Sequence, residues 1–247
     1  MKQKPYLLLI FLIIIGFTTC GIDEYYYLPQ IPQGSETATE VSIRLPSVSS
    51  TFYYASTYII FYKIYLSNEV LLTTIHPTDF SIISSSLTND WNTLARFLDT
   101  TTTNVPTRSD FSNRGYFELQ FETSNLLRFT PGSTSDRDLN ILFHPTEPAE
   151  ILLDEIPRGN ILRNDITFEP QPDRDFYSTP ELRSNENAGS GNPYNHDIAA
   201  VPGSNTGTAP YSYVSMYILT SGTNPTNFNP IFSKPTHLGV FLLYPYF

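Results

Sequence analysis

Cysteine is all but missing: Cys20 is the one thiol in 247 residues. An internal disulfide is therefore impossible, and a solitary thiol needs a different explanation if the chain is exported. Basic residues are few, 14 Lys and Arg against 24 Asp and Glu, for a formal net charge of −10. That balance excludes nucleic acid as a partner, because phosphate binding needs a basic footprint. A single Trp rules out a cage of indoles. Apolar runs are short: Leu7 to Phe17 falls well below the roughly 20 residues that cross a bilayer. The usual catalytic signatures are also missing. There is no Gly-x-Ser-x-Gly elbow, Ser-x-x-Lys, His-Glu-x-x-His, Gly-rich phosphate loop or Cys-x-x-Cys, and Gly189-Ser-Gly191 is only the start of a dinucleotide fingerprint.

What is present begins at the amino terminus. Lys2 and Lys4 precede the Leu7 to Phe17 run, and Thr18, Thr19 and Cys20 follow it, the order of an export signal. Phe17-Thr18-Thr19-Cys20 resembles the lipobox of bacterial lipoproteins in the relaxed form that spirochaetes use. That resemblance implies removal of residues 1–19, diacylation of the Cys20 thiol and acylation of the new amino terminus. The mature chain would carry −12, since the lost segment holds two lysines and no acid. The membrane would then be held by acyl chains, which at about 0.8 kcal/mol per buried methylene anchor permanently when there are two or three.

Beyond the anchor, few helix formers and abundant Thr, Ser, Tyr, Phe and Ile, punctuated by 20 prolines, predict strands joined by turns. The 17 Tyr and 17 Phe supply core bulk without disulfides. Residues 20–37 read as a lipidated tether, with Tyr25 to Tyr27 at headgroup level and Pro29, Pro32, Gly34 and Ser35 opposing regular structure. The domain is expected over 38–247.

Val41 to Leu45 alternates as a half-buried strand. Phe52 to Ser67 places rings and β-branched residues on both faces, so it predicts a central strand covered on both sides. Ser86 to Asp99 predicts a helix capped by Thr88 or Asn89, with Trp91, Leu94, Phe97 and Leu98 on one face. Further strands are expected at Gly115–Glu122, Asp138–Phe143, Ala149–Leu153, Ile161–Phe168, Tyr211–Leu219 and Phe228–Tyr244. Residues 171–210, rich in Asn, Ser, Gly and Pro, predict a long mobile loop.

Tyr58 to Ser67 resembles the third strand of a fibronectin type III-like domain. Tyr211 to Tyr244 looks like the last two strands of an immunoglobulin-like sandwich. The tail, with Cys20-Gly-Ile-Asp-Glu-Tyr-Tyr-Tyr-Leu-Pro29, is similar to treponeme-type spirochaetal lipoproteins. The resemblance implies an all-β immunoglobulin or fibronectin type III-like sandwich, with an inserted segment containing one short helix, in the outer membrane of a bacterial envelope.

Two constellations invite metal chemistry. Asp136, Asp138, Asn140 and Glu147 fall at positions 1, 3, 5 and 12 of an EF-hand count for calcium, but Ile141 stands where Gly is needed, Pro145 interrupts, and the segment also reads as a strand. His76-Pro77-Thr78-Asp79 and His144-Pro145-Thr146-Glu147 repeat an imidazole and a carboxylate, a pattern that equally makes a turn or helix start. The expectation is a non-catalytic, cofactor-free, lipid-anchored module contacting protein or glycan, or serving the envelope structurally. Two alternatives are an acid-paired glycan hydrolase using acids such as Glu118 and Glu122, and a solute-binding accessory of a transporter, which would need βαβ alternation that is missing.

Overall fold

The computed structural model describes residues 28, 30–37, 39–47, 54–99, 103–121, 126–129, 135–143, 149–162, 198–199 and 211–243. Cys20, Glu122, His144 and Glu147 lie outside them, as does the 171–210 loop apart from Ile198–Ala199.

The fold is all-β with a few short helices. Its spine is a pair of 13-residue antiparallel strands, Ala55–Ser67 (β3) and Tyr211–Thr223 (β10), in register from Ser67↔Tyr211 through Thr57↔Ser221. Pro230–Phe232 (β11) and Thr236–Leu243 (β12) return along β10. Phe117–Glu118 (β4) pairs with the opposite edge of β3, and Ile198–Ala199 (β9) pairs in parallel with Ile64 and Tyr65. Two residues of the expected loop are therefore strand.

A second sheet runs in the order Ser35–Glu36 (β1), Glu40–Leu45 (β2), Arg137–Leu142 (β6), Glu150–Leu153 (β7), Ile156–Leu162 (β8) and Gln120–Phe121 (β5). Period-two alternation sorts the side chains. Ile60, Tyr62 and Ile64 of β3 with Val214, Met216 and Ile218 of β10 face Val41, Ile43, Leu139, Ile141 and Ile151 across a buried apolar layer. The odd residues Ile59, Phe61, Tyr65, Tyr213, Tyr217 and Leu219 face the other way, under helices. Both faces of β3 are thus covered, as its sequence anticipates.

The covering helices lie between β3 and β4: a 3-10 turn at Pro77–Asp79, then Phe80–Ile83 (α1), Ser85–Leu98 (α2) and Arg108–Ser112 (α3). Helix α2 packs Leu94, Phe97, Trp91 and Leu98 on the sheet as expected. Its cap is Ser84 rather than Thr88 or Asn89. The Ser86 N–H donates to Ser84 Oγ at 3.2 Å and the Thr88 N–H to Ser84 O at 3.2 Å, so the helix starts earlier than its apolar spacing shows.

The continuous strand expected at Gly115–Glu122 is divided. β4 belongs to the β3 sheet, whereas β5 pairs with β8 in the other, and between them Leu119 is buried in the inter-sheet layer. Strands that change sheet in this way make the corners of sandwiches.

Ordered structure also starts before Ala38, inside the stretch that reads as a tether. Leu28 and Ile31 are buried, and β1 pairs Ser35 with Ser42. Gln30 Nε2 donates to Pro235 O at 3.0 Å, Thr236 Oγ1 donates to Ile31 O, and Gln33 Nε2 donates to His237 O at 2.8 Å. The segment therefore runs as a strap in the same direction as β12 before joining β2, bridging the edges of the two sheets.

Candidate functional site

The inward face of α2 carries one acid. Asp90 falls three residues after Leu87 and four before Leu94, so helical spacing turns it to the sheet, where it meets Lys63, the one cation of β3. Lys63 Nζ donates to Asp90 Oδ2 at 2.6 Å, with side-chain exposures of 12% and 8%. It donates also to Arg114 O at 2.5 Å and lies 5.2 Å from the centre of the Tyr65 ring. Arg114 Nη1 reaches Asp90 Oδ1 at 3.4 Å. The carbonyl of Arg114 is presented by a left-handed Gly115 (φ 74°) just after α3, a conformation that glycine adopts without strain.

From Asp90 a chain of hydroxyls crosses the sheet. Tyr65 OH donates to Asp90 Oδ2 at 2.8 Å and lies 3.0 Å from Tyr116 OH. Tyr116 OH donates to Ser215 Oγ at 3.3 Å, which lies 3.4 Å from His237 Nε2. Burial, together with the neighbouring phenols and Asp90, keeps the Tyr65 and Tyr217 hydroxyls protonated well above the usual tyrosine range. Burial among Phe80, Trp91 and Tyr217, whose ring centres lie 6.0, 5.0 and 4.7 Å away, pushes the His237 imidazole down to about 3, so it is neutral at physiological pH.

A β-bulge brings His237 here. Met216 faces Gly239 while Tyr217 faces His237, leaving Leu238 unpaired and turned into the inter-sheet layer. Gly239, at φ 131°, allows the bulge, and a Cβ there would collide with Glu36 Oε2. Without the extra residue, alternation would point His237 at the opposite sheet.

Comparison of the chain with protein-family models, with curated proteins and with solved structures gives no match. The geometry of the polar cluster is then the guide to what it does.

A hydroxyl beside a neutral imidazole is the pairing from which serine nucleophiles are made. Here Ser215 is fully buried in β10, takes a hydrogen bond from Tyr116 and has the helical layer over it, so the hydroxyl has no approach for a substrate. The arrangement works as a brace. Each buried donor and acceptor in it is matched to another, which holds α2 and α3 at one position on the sheet.

Of the residues picked out by the calcium count, Asp136, Asp138 and Asn140 are described, and each has a partner or position of its own. Over Arg137–Leu142 the segment is strand β6 instead of a loop. Asp136 accepts from the Ser47 N–H at 2.8 Å and pairs with Arg44 at 3.1 Å, which together hold its carboxyl below the usual range. Asp138 is exposed on β6 opposite Arg44, and Asn140 Oδ1 accepts from the Ser42 hydroxyl. Among the described residues no three His, Cys, Asp or Glu side chains gather as a metal centre. His76 begins the 3-10 turn, with its N–H donating to Asp79 Oδ2 at 3.0 Å. Of the acids considered for glycan hydrolysis, Glu118 pairs with Arg108 at 3.1 Å, and no partner acid is described opposite it.

At the end of the sandwich where β2 finishes and β3 starts, a cavity of about 30 Å³ is lined by Leu45, Tyr58, Leu127, Arg128, Phe129 and Arg137. It has room for a water molecule or two, far below the roughly 300 Å³ at which small-molecule sites begin.

Proposed function

We propose that the chain is a lipid-anchored protein of a bacterial envelope, held in the outer membrane by acyl chains on Cys20. On this reading its β domain is a non-catalytic module that contacts protein or glycan, or serves the envelope structurally. The observation that carries the reading is the position of the sole cysteine, immediately after Lys2, Lys4 and the Leu7 to Phe17 run. The character of the polar cluster supports the non-catalytic part, since its polar groups face one another under the helical layer.

The anchor is tested with the full chain expressed in a lipoprotein-processing bacterium. The wild type should partition into the detergent phase of Triton X-114, and its amino-terminal peptide should show acyl mass on Cys20. Cys20→Ala should move to the aqueous phase with its melting transition intact. A Cys20→Ala protein that stays with detergent overturns the anchor.

A further inference from the structure

We propose that the loop joining β10 to β11 is a second membrane contact, with the Phe228 side chain seated among lipid acyl chains and headgroups. The proposal rests on the acyl anchor at Cys20 and names what the anchored domain touches.

Phe228 is 78% exposed, the most exposed large apolar side chain described. Its backbone is left-handed (φ 60°), a conformation unfavourable to a bulky residue. Asn227 and Asn229 on either side are residue types that adopt it more easily, so turn geometry does not account for Phe at this place. The loop around it is braced. Asn224 Oδ1 accepts from the Thr226 N–H at 2.8 Å, the Phe228 N–H donates to Asn224 O at 2.8 Å, and Asn227 Oδ1 accepts from the Asn229 N–H at 3.0 Å. A ring is thus held outward in water by a preformed scaffold, which lowers the entropy lost when it is buried against something else.

The course of the amino-terminal strap indicates what that something is. Gln30 lies beside Pro235, Ile31 beside Thr236 and Gln33 beside His237, so the strap and β12 run in the same direction. Going backward along the strap, toward Leu28 and the anchor, is going backward along β12 toward β11 and its loop. Leu28 follows Cys20 by eight residues, so the stretch between them spans at most roughly 29 Å when fully extended. An anchored Cys20 keeps this end of the sandwich within that distance of the bilayer. A tethered contact of modest intrinsic strength is then populated, because the tether fixes its effective concentration.

The same end presents Ile156, 53% exposed, the first residue of β8 and paired with Leu153 of β7. Arg44 pairs with Asp136 and Arg137 with Asp154 at 3.1 Å each, which neutralises two of the acids at this end. An aromatic side chain with polar neighbours is suited to the interfacial zone.

The test uses full-length acylated protein reconstituted into phosphatidylcholine vesicles with brominated acyl chains. Phe228→Trp should show a blue-shifted emission and at least about twofold greater bromolipid quenching than the wild type, whose sole Trp91 sets the background. With acyl mass confirmed on Cys20, quenching no greater than the wild type overturns the proposal, leaves the anchor standing and points to a protein as the occupant of the tip. Absence of acyl mass overturns the anchor alone. The same quenching measured with that unanchored Phe228→Trp chain and excess vesicles still decides the loop, for it if the introduced indole is quenched and against it if not.

Discussion

The β3–β10 pair has two buried faces built on different terms. Toward the second sheet, Ile60, Ile64, Val214 and Ile218 meet other apolar side chains, and each contributes area removed from water, about 25 cal/mol per Å². Toward the helices, the same two strands present Lys63, Tyr65, Ser215 and Tyr217 to Asp90, Tyr116 and His237. The first face tolerates exchange among apolar residues of similar volume. The second depends on partners being present together, because a buried polar group that loses its match keeps its desolvation penalty. One pair of strands thus joins a face that sets stability to a face that sets where the helices sit.

The largest effect expected is at the apolar face. Ile60→Asp puts a carboxylate in a layer whose described side chains are all hydrophobic, and thermal melting should lose its cooperative transition, an effect of several kcal/mol. A variant that still melts cooperatively would show that this face admits water.

The polar face should separate single from paired changes. Asp90→Ala leaves Lys63 buried without its carboxylate and should lower stability to urea by about 3–5 kcal/mol, whereas Lys63→Met with Asp90→Leu should recover most of that loss. If the double variant is as weak as the single one, the ion pair contributes more than mutual neutralisation, and the two faces differ further still.

Smallest near neutrality, and growing as the solution is acidified, is the effect of pH on His237. The folded imidazole takes a proton only near 3, while in the unfolded chain it does so near its ordinary 6.5. As pH falls through that window the unfolded state binds the proton and the folded state does not, so stability is lost, by at most ~1.4 kcal/mol per pH unit. His237→Gln should remove this component. The stability of the wild type relative to the variant, measured by urea titration, should be constant above pH 7 and decline below 6.5. A difference that stays level down to pH 4 would show that the imidazole is open to water.

The sequence shows the apolar face more clearly than the polar one. Phe52 to Ser67 declares a strand covered on both sides, and Trp91, Leu94, Phe97 and Leu98 declare a helix to cover it. Asp90 has the same helical spacing, yet an acid on a short helix reads as solvated, and only the isolated Lys63 in β3 hinted at an inward partner. His237 is hidden for another reason: the bulge that reverses its direction is marked in sequence by nothing but Gly239. Leu28 and Ile31 stand singly among prolines and so carry no period, although both are buried. Gly115 to Glu122 alternates correctly for either sheet, and local pattern has no means of showing that the strand leaves one for the other.

The strap beside β12 bears on how the domain would answer a pull. Tension applied from the amino terminus runs along the strap, across the Gln30, Ile31 and Gln33 hydrogen bonds instead of through one at a time, before it reaches β1. Such contacts are loaded in shear and must break together, and resistance to forced opening is set by the unfolding rate and not by equilibrium stability. A domain fastened at that terminus would resist tugging more strongly than one held by its last strand, where β12 could peel from β10 pair by pair.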